Sequence, residues 1–196
     1  VPSIYDIKPR FQSLLRPMVG ALVRNGVTPN QLTLLAAAGS VVVGGLLLLA
    51  QRNRAWLLLL PLWLLARMAL NAMDGMAARE HAMTSRLGAA LNELGDVVSD
   101  LALYLPLATL GASLMWPVVE FSGLLGQALG GKRRYDGPMG KSDRAFVIGA
   151  LSLLAVLFPR TLAWWPAAFG IAAASTAITS VNRVRSALSD LERGAR

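Results

Sequence analysis

The sequence predicts an all-α integral membrane protein, with six transmembrane helices preceded by an amphipathic interfacial helix. Composition is the first reason. Of the 196 residues, 55% are hydrophobic and only 15% are charged, against about 25% charged in ordinary soluble domains, and the mean hydropathy is +0.51. Distribution is the second. The apolar residues come in long runs, and the basic residues gather in the gaps between them. A short chain without strand-like alternation must span as helices, because backbone groups in hydrocarbon have to be satisfied within the segment.

The lead-in, 1–27, places Ile4, Ile7, Phe11, Leu14, Leu15, Met18, Leu22 and Val23 at three- and four-residue steps, with Lys8, Arg16 and Arg24 between them. That pattern suits a helix in the headgroup layer. Pro9 fits a helix start, whereas Pro17 is expected to kink or split it. The lead-in lacks the form of a secretory signal peptide, so none is expected. Six apolar segments follow, at about 30–50, 55–78, 87–112, 114–131, 144–159 and 162–182. The first holds 19 residues without a charge, close to the ~20 that cross hydrocarbon. A short turn around Gly111 to Pro117 divides the third from the fourth, and Pro159 ends the fifth. The transmembrane domain is thus 28–185, followed by a cytoplasmic tail, 186–196. Trp164 and Trp165 read as interfacial anchors.

Orientation follows from the basic residues. With the N-terminus in the cytoplasm, fifteen of the nineteen Lys and Arg fall on the cytoplasmic side and three on the other, with Arg67 inside a span. That is a strong positive-inside bias, and it predicts a multi-pass protein with both termini cytoplasmic. The formal net charge of +8 is accounted for by this bias, so no nucleic-acid partner is inferred; membrane lipids are the expected partners. The chain has no cysteine and a single histidine, His81. Thiol chemistry, disulfides and a multi-histidine metal site are therefore excluded.

Between the second and third apolar segments lies NAMDGMAAREHAMTSRLGAALNELGDVVSD, residues 71–100, with the acids Asp74, Glu80, Glu93, Asp96 and Asp100. Asn71 and Asp74 are three apart and share a helix face. Asn92, Asp96 and Asp100 step by four, drifting about 40° per step, and Gly88 continues their stripe. Two adjacent antiparallel helices would point these oxygens at each other near the cytoplasmic surface. Ionised carboxylates at that depth are costly to desolvate and call for a cation. An all-oxygen set favours Mg²⁺, Mn²⁺ or Ca²⁺ over zinc. The competing reading pairs the acids with Arg67, Arg79 or Arg86 as structural salt bridges. Gly75, Ala78, Gly88 and Gly95 either let helices pack closely or let a ligand approach the backbone.

Asn71, Asp74, Gly75, Ala78, Arg79, Gly88, Asn92 and Asp96 read N-x2-D-G-x2-A-R-x8-G-x3-N-x3-D. This resembles, without a gap, the signature of the CDP-alcohol phosphotransferase (CDP-alcohol phosphatidyltransferase) family, D-x2-D-G-x2-A-R-x8-G-x3-D-x3-D. TPNQLT, residues 28–33, and GPMGKSDRA, residues 137–145, also resemble the family, the latter a bacterial inner-membrane subgroup. The resemblance implies transfer of a substituted phosphate from a CDP-linked donor, CDP-diacylglycerol in phospholipid biosynthesis, to a small alcohol or lipid acceptor, with release of CMP. It implies one or two Mg²⁺ or Mn²⁺ ions held on the donor pyrophosphate by Asn71, Asp74, Asn92 and Asp96. It implies Asp96 as the catalytic base, an active site on the cytoplasmic face of the bacterial inner membrane, and a homodimer. Asn71 and Asn92 replace two motif aspartates, which lowers the motif's charge from −4 to −2. Asp100 and Glu93 are the candidates to compensate, and Asp74, Asp96 and Asp100 the expected rearranged metal set.

Around this stretch, Asn30 and Thr33 either line the nucleotide pocket, with Gly75, Ala78, Arg79 and Gly88, or cap and pack the first helix. Arg79 either contacts a donor phosphate or pairs with an acid. Arg67 reads as a structural partner for a nearby acid. Lys141 and Arg144 are either acceptor-phosphate ligands or ordinary cytoplasmic charge; Arg133 and Arg134 read as the latter. Glu120 faces the bundle interior, and His81 lies on the surface. Two other function classes compete with the transferase. One is a non-catalytic relative that binds CDP-lipid or a partner, motivated by the two Asn. The other is a small ion transporter, disfavoured because the acids cluster at one end and not at mid-membrane.

Overall fold

The computed structural model describes residues 4–110 and 140–194, and its secondary structure over these residues is entirely helical. The helices are α1 (Ile4–Arg24), α2 (Pro29–Leu47), α3 (Leu59–Glu80), α4 (Arg86–Tyr104), α5 (Lys141–Leu157) and α6 (Trp165–Gly194). Three stretches are long and apolar enough to cross a membrane: Pro29–Ala50, Arg54–Glu80 and Pro159–Asn182. The expected third and fifth spans form α4 and α5, which carry more charge or fewer residues. The expected fourth span, with Glu120, Arg133 and Arg134, lies outside the described residues.

The exterior is apolar and the interior partly ionic. Leu62, Phe146 and Ile171 are each more than two-thirds exposed, while Arg67, Asp74, Asp96, Asp100 and Arg144 are buried. In water that inversion would cost both ways. In a bilayer lipid covers the apolar surface, and polar side chains turn to the bundle interior.

α1 runs unbroken through Pro9 and Pro17, so the expected split at Pro17 does not occur. A proline removes one backbone donor and crowds the preceding turn. Here packing offsets that loss: Leu15 and Val19 are buried in a cluster with Leu32, Met73, Met76 and Ala77, which docks α1 on the second half of α3. Arg16 adds an exposed ion pair to Glu80 at 3.0 Å. The helix ends at Gly26, φ +80°. The Gly26 N–H donates to the Val23 carbonyl and the Val27 N–H to the Leu22 carbonyl, a Schellman closure in which glycine takes the left-handed position. Thr28 then caps α2 through a reciprocal pair. Its hydroxyl accepts from the Gln31 N–H at 3.3 Å, and Gln31 Oε1 accepts from the Thr28 N–H at 2.9 Å. Pro29 occupies the first helical position, where its missing donor costs nothing.

α2 is the backing element. It packs against both α3 and α4, whereas α3 and α4 have little backbone contact with each other. A Cβ at Gly44 would stand 2.2 Å from the Ala102 carbonyl oxygen, so glycine there permits the close α2–α4 approach. The two acid-bearing helices are thus splayed over α2, leaving a space between them that side chains fill. At the opposite end, Leu47, Leu57, Leu60, Leu103, Leu107, Ile148, Trp165 and Phe169 form the apolar core. Trp165, expected as an interfacial anchor, is 1% exposed, packed edge-on to Phe169; Trp164 beside it is 73% exposed. On a helix adjacent residues point about 100° apart, so only one of the two can face out. α5 stops at Leu157, before Pro159. α6 continues through the expected tail to Gly194, because nothing between Asn182 and Gly194 breaks a helix.

Candidate functional site

The polar residues of the motif region collect between α3, α4 and the start of α5. Asp74 is buried on α3, and its Oδ2 accepts from Thr33 Oγ1 of α2 at 2.7 Å. Thr33 lies one turn into α2, where the Thr28 cap holds the helix start. Asp96 is buried on α4 and ion-paired with Lys141 Nζ. Arg67 of α3 reaches the same residue, with Nη2 at 3.2 Å from the Asp96 carbonyl oxygen and 3.4 Å from Oδ1. Buried carboxylates thus come from two helices, α3 and α4, that both pack on α2.

One turn deeper, Asp100 lies between two guanidinium groups. Arg67 Nη1 donates to Oδ1 at 2.6 Å, and Arg144 Nη2 donates to Oδ2 at 2.8 Å. All three residues are at most 3% exposed. Asp100, expected as a compensating metal ligand, thus has both oxygens engaged by cations. Arg144, expected as an acceptor-phosphate ligand, is sealed on that acid. Salt-bridge pairing, the competing reading for the acidic stretch, describes Asp100, with Arg67 in the partner role expected of it.

Lys141 and Arg144 occupy the first turn of α5. Cations at a helix N-terminus oppose the macrodipole by about 0.3–1 kcal/mol each. Asp143, whose Oδ2 accepts from the Gly140 N–H at 2.9 Å, is the favourable charge there. Holding two cations against the dipole requires other anions, and Asp96 and Asp100 supply them. This cross-helix pairing was not foreseen, although the charge placement in the first turn of α5 was its one signal in the sequence.

Asn71 and Asn92 are half-buried on α3 and α4. Asn71 Nδ2 is buried without a hydrogen-bond partner, so this amide has polar capacity left for a ligand. Asn30 and Gly88 are brought together: a Cβ at Gly88 would stand 2.8 Å from Asn30 Oδ1. Arg79 is exposed and folds back over Gly75, with Nη1 3.1 Å from where a Cβ would be. Ala78 is half-buried beside them, and His81 is exposed in the turn after α3. Thr33 orients Asp74 through its hydroxyl. Glu93 is half-buried on α4.

The donor set tests whether a divalent ion fits. Asp74, Asp96, Asn71 and Asn92 offer hard oxygens, the chemistry Mg²⁺ and Mn²⁺ take. Among the described residues, however, no three His, Asp or Glu side chains gather as a ready-made site. One ion on Asp74 and Asp96 with amide oxygens fits. A carboxylate-rich cage of the kind that would hold two ions is not assembled among the described residues.

Comparison with known proteins identifies the family and the fold. The model of the CDP-alcohol phosphatidyltransferase family matches residues 26–125. The chain is 47% identical over 195 residues to the inner membrane protein YnbA of Escherichia coli (strain K12), covering 95% of this chain and 96% of that one. It is 34% identical over 95 residues to the phosphatidylinositol phosphate synthase of Streptomyces avermitilis, covering 48% of this chain and 37% of the synthase. The fold is similar to that of the Mycobacterium tuberculosis phosphatidylinositol phosphate synthase. The structure of that enzyme with manganese and citrate has a TM-score of 0.73 at 21% identity, covering 88% of each chain. The structure with CDP-DAG bound has a TM-score of 0.72 at 22% identity, covering 87% of this chain and 92% of that one. The family model spans half of the sequence, including every motif position from Asn71 to Asp96, and the chain belongs to the CDP-alcohol phosphatidyltransferase family.

Proposed function

We propose that this protein is a membrane-embedded, divalent-metal-dependent phosphotransferase. It moves a phosphatidyl group from a CDP-linked diacylglycerol donor to an alcohol acceptor and releases CMP. The observation that carries this reading is the burial of Asp74 and Asp96 on two motif helices packed against α2, with Lys141 paired to Asp96. Asn71, Asp74, Asn92 and Asp96 hold the ion. When bound, it neutralises the donor pyrophosphate and stabilises charge on the departing CMP. Thr33 fixes the Asp74 carboxylate for that task. Gly75, Ala78 and Gly88 keep the wall low where the nucleotide lies, with Asn30 and Arg79 beside it. Asp96 accepts the acceptor's hydroxyl proton. Lys141, only partly exposed, stands where it can meet an incoming phosphate. The site and both termini face the cytoplasm of a bacterial cell, and the chain acts as a homodimer.

The test is CMP release from CDP-diacylglycerol by purified protein, with Mg²⁺ or Mn²⁺ and a panel of alcohols. Acceptor-dependent release is expected, reduced at least about 10²-fold by Asp96→Asn. A second reading has its own support: Lys141 and Arg67 already neutralise Asp96 without a metal, as a non-catalytic CDP-lipid binder would allow. Nucleotide binding without CMP release from any acceptor would favour that reading.

A further inference from the structure

We infer that the Lys141 ammonium occupies the place of a second divalent cation, so that the site takes one metal ion and one built-in cation. The inference rests on the phosphotransferase reading and decides the ion count that the motif leaves open.

The charges of the cluster lead to this assignment. Arg67, Lys141 and Arg144 are ion-paired with Asp96 and Asp100, and with Asp74 counted the motif region sets three cations against three carboxylates. Asp100 is consumed by the two arginines. Asp96 Oδ1 is consumed by Lys141, with Arg67 Nη2 at 3.4 Å. Asp74 Oδ2 is held by the neutral hydroxyl of Thr33. An entering divalent ion therefore finds Asp74, whose side-chain hydrogen bond comes from the neutral hydroxyl of Thr33, and the Oδ2 side of Asp96, together with the amides of Asn71 and Asn92. A second ion would have to expel Lys141 from Asp96, and Asn92 offers no charge in return.

Function is served as well. A pyrophosphate diester carries one negative charge on each phosphoryl group. One divalent ion added to a neutral cluster balances both; two would leave an excess. Lysine is suited to the role because its ammonium is a compact point charge with three donors. It also remains in place as CMP leaves. Its position in the first turn of α5, against the helix dipole, fits a cation held there by Asp96 and not by its own helix.

The experiment is a Mn²⁺ titration of the full-length protein in detergent, with CDP-diacylglycerol present, free Mn²⁺ being followed by electron paramagnetic resonance. One ion per chain is expected for the wild type and for Lys141→Arg. Two are expected for Lys141→Met combined with Asn92→Asp, which opens Asp96 and restores the missing charge. Two ions on the wild type overturn the inference and leave the transferase reading standing. No ion on the wild type overturns both. A folded double variant, judged by its thermal transition, that still binds one ion also overturns the inference. The wild-type count decides the matter even where the double variant does not fold.

Discussion

Asp100 is buried between Arg67 and Arg144, and its removal takes away the carboxylate that the two guanidinium groups share. Breaking a buried ion network by deleting one partner costs about 3–5 kcal/mol. Asp100→Ala should therefore lower the thermal midpoint in detergent sharply, and Asp100→Asn less so, because the amide oxygen still accepts one bond. Mn²⁺ affinity of the folded fraction should be nearly unchanged. Full stability with lost Mn²⁺ binding would instead make Asp100 a metal ligand. Part of this was legible in the sequence. A lone arginine inside a span must have a partner, which marked Arg67 as structural. Asp100 stood one turn beyond the motif and looked available because its second partner, Arg144, lies 44 positions later. Helical periodicity says which residues share a face, but not which distant helix turns its own face toward them.

The turn between α3 and α4 sets the spacing of the two acid-bearing helices, and it contains a strained residue. Ala82 has φ +54°, in the left-handed region that costs an L-residue about 1–2 kcal/mol. The Met83 N–H donates to the Ala78 carbonyl at 2.9 Å, so Ala82 fills the position where helices commonly end on glycine. Ser85 then starts α4, its hydroxyl accepting from the Gly88 N–H at 2.9 Å. Ala82→Gly removes the strain but adds about 0.4–1 kcal/mol of unfolded-state entropy. A net gain of roughly 0.5–1 kcal/mol is expected, read as a higher thermal midpoint with CMP release preserved; Ala82→Val should lower the midpoint. At this scale the sequence was informative wherever its chemistry was local. The stop before Pro159 and the four-residue stripe from Asn92 to Asp100 appear as expected, whereas the cap of α2 falls on Thr28 and not on Asn30 or Thr33. It misled at Pro17, where docking of Leu15 and Val19 on α3 outweighs the lost bond, and at Trp165, whose burial depends on the facing helices.

Across the described helices, the buried ions lie toward one end of the bundle and the apolar core toward the other. This polarity should set the protein's direction in the membrane. The turn after α3, with exposed His81, belongs to the site end; the α2–α3 connection, with exposed Arg52, belongs to the core end. Fifteen of the nineteen basic residues fall on the site side of the expected topology, and such an excess faces the cytoplasm. A cytoplasmic site also gives a CDP-linked lipid and a water-soluble acceptor a common meeting place. The absence of cysteine makes the orientation directly testable, because each introduced thiol is the only one. In intact cells, a membrane-impermeant maleimide should label Arg52→Cys and spare His81→Cys, and both should react once the cells are opened. Labelling of His81→Cys in intact cells would place the site outside. It would separate the ion cluster from any cytoplasmic CDP-linked donor, and the transferase reading would fall with the topology.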